Sequence, residues 1–127
     1  MWPVFAAQDG NFDLFPFAKS GATCSNNLTD RPFPSVFESQ LPTFFAERAN
    51  GSLAALRPED TIYTLWIGTN DVGVGALLTG SQTPGVTIVD TTKCAVDWVR
   101  ALYESGARNF VFQNVSQSTV QKSLGET

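Results

Sequence analysis

The chain has 127 residues, 43% of them apolar or aromatic, with twelve acidic against eight basic side chains and no histidine. Such a length and core content fit one modest domain, or part of a larger one, and exclude a disordered chain. The acidic balance, without any Lys/Arg cluster, excludes a nucleic-acid partner and an anionic-membrane surface.

Met1-Trp2-Pro3-Val4 has neither the basic start nor the apolar stretch of a signal peptide, and no later run reaches the roughly 18 apolar residues of a membrane span. Asp13–Ala18, "DLFPFA", predicts a short strand interrupted by Pro16, ending at Lys19-Ser20-Gly21. After a polar loop, Ser35 and Glu38 match the capping-box pattern, and Val36, Phe37, Leu41, Phe44 and Phe45 give an apolar helical face that closes near Asn50-Gly51. Pro42 within it predicts a kink or a division into two short helices. A turn at Pro58-Glu59-Asp60 leads into "TIYTLWI", whose unbroken β-branched and aromatic content predicts a strand buried on both faces.

A Gly-rich connection follows, then a helix started by Asp90 and Thr91, with Ala95, Trp98, Val99 and Leu102 on one face and Gly106 at its end. "NFVFQNV" predicts the next strand. The order strand, helix, strand, helix, strand predicts a parallel α/β sheet with helices on its faces. Residues 116–127 are polar and aperiodic and read as a divergent tail behind a domain spanning residues 1–115.

Two chemical features point toward the oxidising exterior of a cell. Three Asn-X-Ser/Thr acceptors occur, at Asn27, Asn50 and Asn114. The two cysteines, Cys24 and Cys94, are far apart in sequence; a bond between them would close a long loop, and the alternative is two buried free thiols. A secreted protein is expected.

Parallel sheets bind ligands beyond the carboxyl ends of their strands, which singles out Lys19–Ser25, Gly68–Gly73 and Gln113-Asn114. Gly68 allows a sharp turn, Asn70 offers an amide donor suited to a developing oxyanion, and Asp71 can hold that amide or a neighbouring N–H. The alternative is that Asn70 and Asp71 merely cap the next turn. Gly21 permits close backbone approach to a ligand, or is simply a turn glycine. Without histidine, no Ser-His-Asp or Cys-His arrangement can form within the chain, and zinc loses its commonest nitrogen ligand. Lys19 and Ser20 are neighbours that a strand would point to opposite faces, and Gly73-Val74-Gly75 lacks the third glycine of a dinucleotide loop.

"FAKSGATCSNN" and "LWIGTNDVG" together resemble the second and third sequence blocks of the SGNH (GDSL-type) hydrolases, in particular the fungal secreted acetylesterases of carbohydrate esterase family sixteen. "VRALYESGARNFVFQNV" resembles that family's next helix and strand, so the likeness covers about residues 2 to 115. It implies a three-layer α/β/α sandwich with a flavodoxin-like parallel sheet of order 2-1-3-4-5, whose first strand and C-terminal part this chain lacks. It also implies that Gly21 and Asn70 supply oxyanion-hole donors, that Cys24 and Cys94 pair, and that the substrate is a small acetylated carbohydrate or other ester, with no cofactor. The family's Gly-Asp-Ser nucleophile block would lie before Trp2 and its Asp-X-X-His block after Thr127. The resemblance therefore implies a fragment of an ester hydrolase, inactive alone; the other reading is a noncatalytic secreted carbohydrate-binding or interaction module.

Overall fold

A computed structural model describes residues 2–113. The acceptor at Asn114 and the tail at 116–127 lie outside the described residues. The elements in order are α1 (Trp2–Gly10), a five-residue π-type turn (Val36–Gln40), α2 (Leu41–Ala49), β1 (Ile62–Trp66), α3 (Thr69–Val72), α4 (Ile88–Glu104) and β2 (Asn109–Gln113), with single 3₁₀ turns at Pro58–Asp60 and Leu77–Thr79. β1 and β2 form a two-stranded parallel sheet in which Tyr63 lies opposite Phe110 and Leu65 opposite Phe112. This is a mixed α/β arrangement with α4 as the crossover between parallel strands.

Helix α1 was not foreseen from the sequence. Pro3 sits where a helix start has no hydrogen bond to lose, yet Val4 and Phe5 remain exposed, so α1 contributes little to the core.

Asp13–Ala18 forms no strand and pairs with none among the described residues, contrary to expectation. Pro16 offers no ladder donor, and Leu14 and Phe15 face solvent. Only Phe17 turns inward, edge-on to Phe44 with ring centroids 5.6 Å apart. One aromatic anchor holds the segment without the backbone ladder that would make it a strand.

At Pro42 the helix changes type instead of breaking: the π-type turn ends at Gln40, α2 begins at Leu41 with the backbone helical through both, and Pro42 lies in the first turn of α2, where a missing N–H is harmless. Ser35 Oγ accepts from the Glu38 N–H at 3.2 Å, as a capping residue should. Two further N–H groups at this helix start, of Val36 and Phe37, donate to the carbonyls of Thr23 and Cys24. Donors that a helix leaves unsatisfied thus anchor the loop that precedes it.

Helix α4 starts at Ile88, two residues earlier than expected. Thr87 is its N-cap, accepting from the Val89 N–H at 3.2 Å, while Asp90 Oδ2 accepts from the Thr87 N–H at 2.8 Å. Asp90 is not the first residue of the helix but the third, the reciprocal partner of the Thr87 cap.

The core gathers Val36, Leu41, Phe44, Leu53, Leu65, Trp98, Leu102 and Ala107. Phe44 of α2 packs edge-on against Tyr63 of β1 at 5.7 Å, and Trp98 of α4 packs against Phe110 and Phe112 of β2 at 6.1 and 5.8 Å. Both helices therefore cover the same sheet face. On the opposite face, where alternate residues point, Ile62 and Trp66 are 57% and 54% exposed and Val111 is 44% exposed. The expectation that β1 is buried on both faces is thus corrected: its second face stays largely exposed among the described residues.

Candidate functional site

The site forms where β1 ends. Gly68 turns the chain with φ +125°, a conformation unfavourable for any residue with a Cβ, and the single helical turn α3 follows at once. Asn70 and Asp71 ride on this turn. Neither caps it, because Gly68 occupies the N-cap position and both side chains reach back nearly fifty residues instead.

The Asp71 carboxylate is buried, with 1% of its surface exposed, and both its oxygens accept from the Cys24 N–H, at 3.1 and 3.2 Å. Asn70 Nδ2 donates to the Ala22 carbonyl at 3.1 Å. These contacts hold the Lys19–Ser25 loop against the carboxyl end of β1, so the two sequence blocks lie side by side. Asp71 and Asn70 do the holding, Gly68 supplies the turn that carries them, and Asn70 meets the loop at Ala22, next to Gly21.

Gly21 has φ +78°, and a Cβ there would lie 2.8 to 3.0 Å from the Phe33 ring. Conformation and space both demand glycine. Among the described residues, no hydrogen bond uses the Gly21 N–H. An asparagine amide has two N–H bonds; Ala22 engages one and thereby orients the other. The site thus holds a backbone N–H at Gly21 and a side-chain N–H at Asn70 that these contacts leave without an acceptor.

Arg31 and Phe33 complete the surroundings and escaped the sequence reading. Arg31 Nη1 donates to the Asn70 carbonyl at 3.3 Å, and its guanidinium lies 5.6 Å from the centre of the Phe33 ring. No local pattern in "NLTDRPFPS" marks them; only the folded loop sets them beside Gly21 and Asn70.

Burial pushes the Asp71 carboxyl above the usual carboxylate value, opposed by the N–H groups of Cys24 and Asp71 itself and by the Arg31 charge. Glu38 behaves oppositely. Its partial burial would raise it, but the hydroxyls of Ser25 and Ser35 and the backbone of Asn26 and Asn27 together outweigh that and hold it low. Glu38 accepts hydrogen bonds from both serines, tying the loop to the start of the π-type turn.

Cys24 and Cys94 form a disulfide that joins the same loop to α4 across 70 residues of sequence. Of the other residues marked in the sequence, Asn27 is exposed though its backbone joins the Ser25–Glu38 contacts, Asn50 is exposed and away from them, and Lys19 and Ser20 are exposed in a turn. Among the described residues no group of three acidic, cysteine or histidine side chains is placed to hold a metal ion.

No family model matches the chain. Over 120 residues it is 32% identical to an acetylesterase of Hypocrea jecorina, an alignment that takes in 89% of this chain and 34% of that protein. The chain thus spans about a third of the length of the curated relative it matches, and over that span it is related to an esterase.

Proposed function

We propose that this chain is a portion of an SGNH (GDSL-type) carboxylic ester hydrolase akin to the carbohydrate esterase family sixteen acetylesterases, with Gly21 and Asn70 as two of its oxyanion-hole donors. The observation that carries the reading is the Asn70 Nδ2 to Ala22 carbonyl bond at 3.1 Å, which aligns the amide with the loop bearing Gly21. A serine alkoxide adding to an acetyl carbonyl puts negative charge on its oxygen, and preorganised N–H groups stabilise that charge most where water is excluded. A histidine would take the serine proton and return it to the departing sugar hydroxyl. Since the chain contains no histidine, nucleophile and base come from other parts of the protein, and this portion alone turns over no ester.

The same reading gives the open face of β1 and β2 a second helical layer and so completes a three-layer sandwich. It also makes the parent extracellular, in keeping with the disulfide and the Asn-X-Ser/Thr acceptors, and acetylated sugars its substrates.

The test compares two polypeptides on an acetylated xylo-oligosaccharide and on 4-nitrophenyl acetate. The 127-residue chain should release no acetate above buffer. In a longer product that adds a serine nucleophile and a histidine base, N70A should lower kcat about 10²- to 10³-fold with KM little changed. Turnover by the short chain, or full activity of N70A, overturns the proposal. Saccharide binding without turnover by the longer product supports a carbohydrate-binding module instead.

A further inference from the structure

We propose that the two described glycosylation acceptors differ in when they can be used: Asn50 can be modified on the folded chain, whereas Asn27 can be modified only before its turn and the neighbouring disulfide have closed. The inference rests on the reading of the parent as secreted. In N-glycosylation the Asn amide nitrogen forms a bond to the anomeric carbon of a polyprenyl-diphosphate-linked oligosaccharide. The carbon–oxygen bond to the diphosphate breaks, the lipid diphosphate departs, and the amide loses a proton. The transferase must reach the Asn side chain and the hydroxyl two residues on together, which is why the acceptor is Asn-X-Ser/Thr.

At Asn50 both groups are accessible. Asn50 and Ser52 are exposed just after α2, and the Ser52 N–H and hydroxyl both donate to Asn50 Oδ1, at 2.9 and 2.6 Å. These are local contacts at the surface that an enzyme can open without disturbing the core.

Asn27 is also exposed, so an oligosaccharide already attached there fits the fold. Its partner hydroxyl does not. Thr29 is 0% exposed, and its Oγ1 is buried without a hydrogen-bond partner. The backbone around it is fastened on both sides: the N–H groups of Leu28 and Thr29 donate to the Ser25 carbonyl, and Asn27 N–H donates to Ser25 Oγ at 3.1 Å. Thr83 holds the segment from across the loop, its N–H to the Leu28 carbonyl at 2.8 Å and its hydroxyl to the Asn27 carbonyl at 2.8 Å. Three residues upstream, Cys24 is covalently fixed to Cys94. Exposing Thr29 therefore means undoing the turn, the Thr83 bridge and the packing beneath, so folding competes with transfer at Asn27 and not at Asn50.

The test is to express the full chain behind a secretion leader in a eukaryotic host and measure site occupancy by mass spectrometry after deglycosylation in ¹⁸O-water. Asn50 should be almost fully occupied and Asn27 only in a minority of molecules. C94S, or dithiothreitol added during synthesis, should raise Asn27 occupancy toward that of Asn50 and leave Asn50 unchanged. Equal occupancy of the two sites in the unaltered chain, or Asn27 occupancy indifferent to both treatments, overturns the proposal, as does an unmodified Asn50. The added leader separates this test from native targeting: a natural product retained inside the cell would overturn the secreted reading and leave the order of events at Asn27 standing.

Discussion

Asp71 shows how one buried carboxylate couples the candidate site to pH. Because burial raises its pKa in the folded state, the folded chain binds a proton that the unfolded chain has already released. Its contribution to stability is complete below the ordinary value of 3.8 and falls as pH rises through the raised value. D71N keeps an acceptor for the Cys24 N–H but cannot ionise. The difference in melting temperature between wild type and D71N should therefore move in favour of the wild type on acidification toward pH 4, as followed by circular dichroism. D71A should cost about 1–3 kcal/mol at low pH, because the buried Cys24 N–H loses its partner. Glu38 has the opposite sign: its lowered pKa gives stability that is present above the ordinary 4.5 and lost as pH falls through the lowered value. The comparison with D71N isolates Asp71 because Glu38 is common to both proteins.

Among the elements, α4 is the one on which the sheet and the disulfide both depend. It is the longest helix among the described residues, Trp98 and Leu102 bury its inner face, and Cys94 projects to Cys24. Its first turn is closed by Thr87 and Asp90 in a reciprocal cap. T87A removes the acceptor for the Val89 N–H and should lower stability by about 1 kcal/mol, measured as a shift in the urea midpoint with an unchanged slope. Helices α2 and α4 and the two paired strands were legible from local pattern, since periodicity, Pro42, Gly106 and the apolar run of β1 each act within a few residues, whereas α1 and the single turn α3 carry no such pattern. Asp13–Ala18 shows where that reading stops. A strand exists only if another strand accepts its hydrogen bonds, and no such partner faces this segment among the described residues.

For the whole molecule, the Cys24–Cys94 bond is the largest single constraint. Across 70 residues, loop-closure entropy puts its contribution at about 4 kcal/mol, a large share of the roughly 5–15 kcal/mol by which domains are stable. Dithiothreitol, or the paired C24S and C94S substitutions, should lower the melting temperature sharply; a melt indifferent to reductant would show that the bond adds no stability. The open sheet face leads to another expectation. Ile62, Trp66 and Val111 present apolar area beside an unpaired strand edge, a combination that promotes association. Sedimentation should show self-association rising with protein concentration, and W66K should shift the distribution toward monomer.

The sequence by itself determined what depends on near neighbours: the existence of α2, α4 and the two paired strands, and the glycine that follows β1. The absence of histidine was equally plain, and with it the incompleteness of any triad inside the chain. Tertiary structure alone decided that Asp71 grips Cys24, that Asn70 reaches Ala22, that Arg31 and Phe33 border the site, and that Thr29 is sealed beneath its turn. Those facts join residues distant in sequence, and no periodicity or spacing encodes which buried donor will meet which acceptor. Burial follows the same rule: β1 has the composition of a strand covered twice, but coverage is a property of what packs against it.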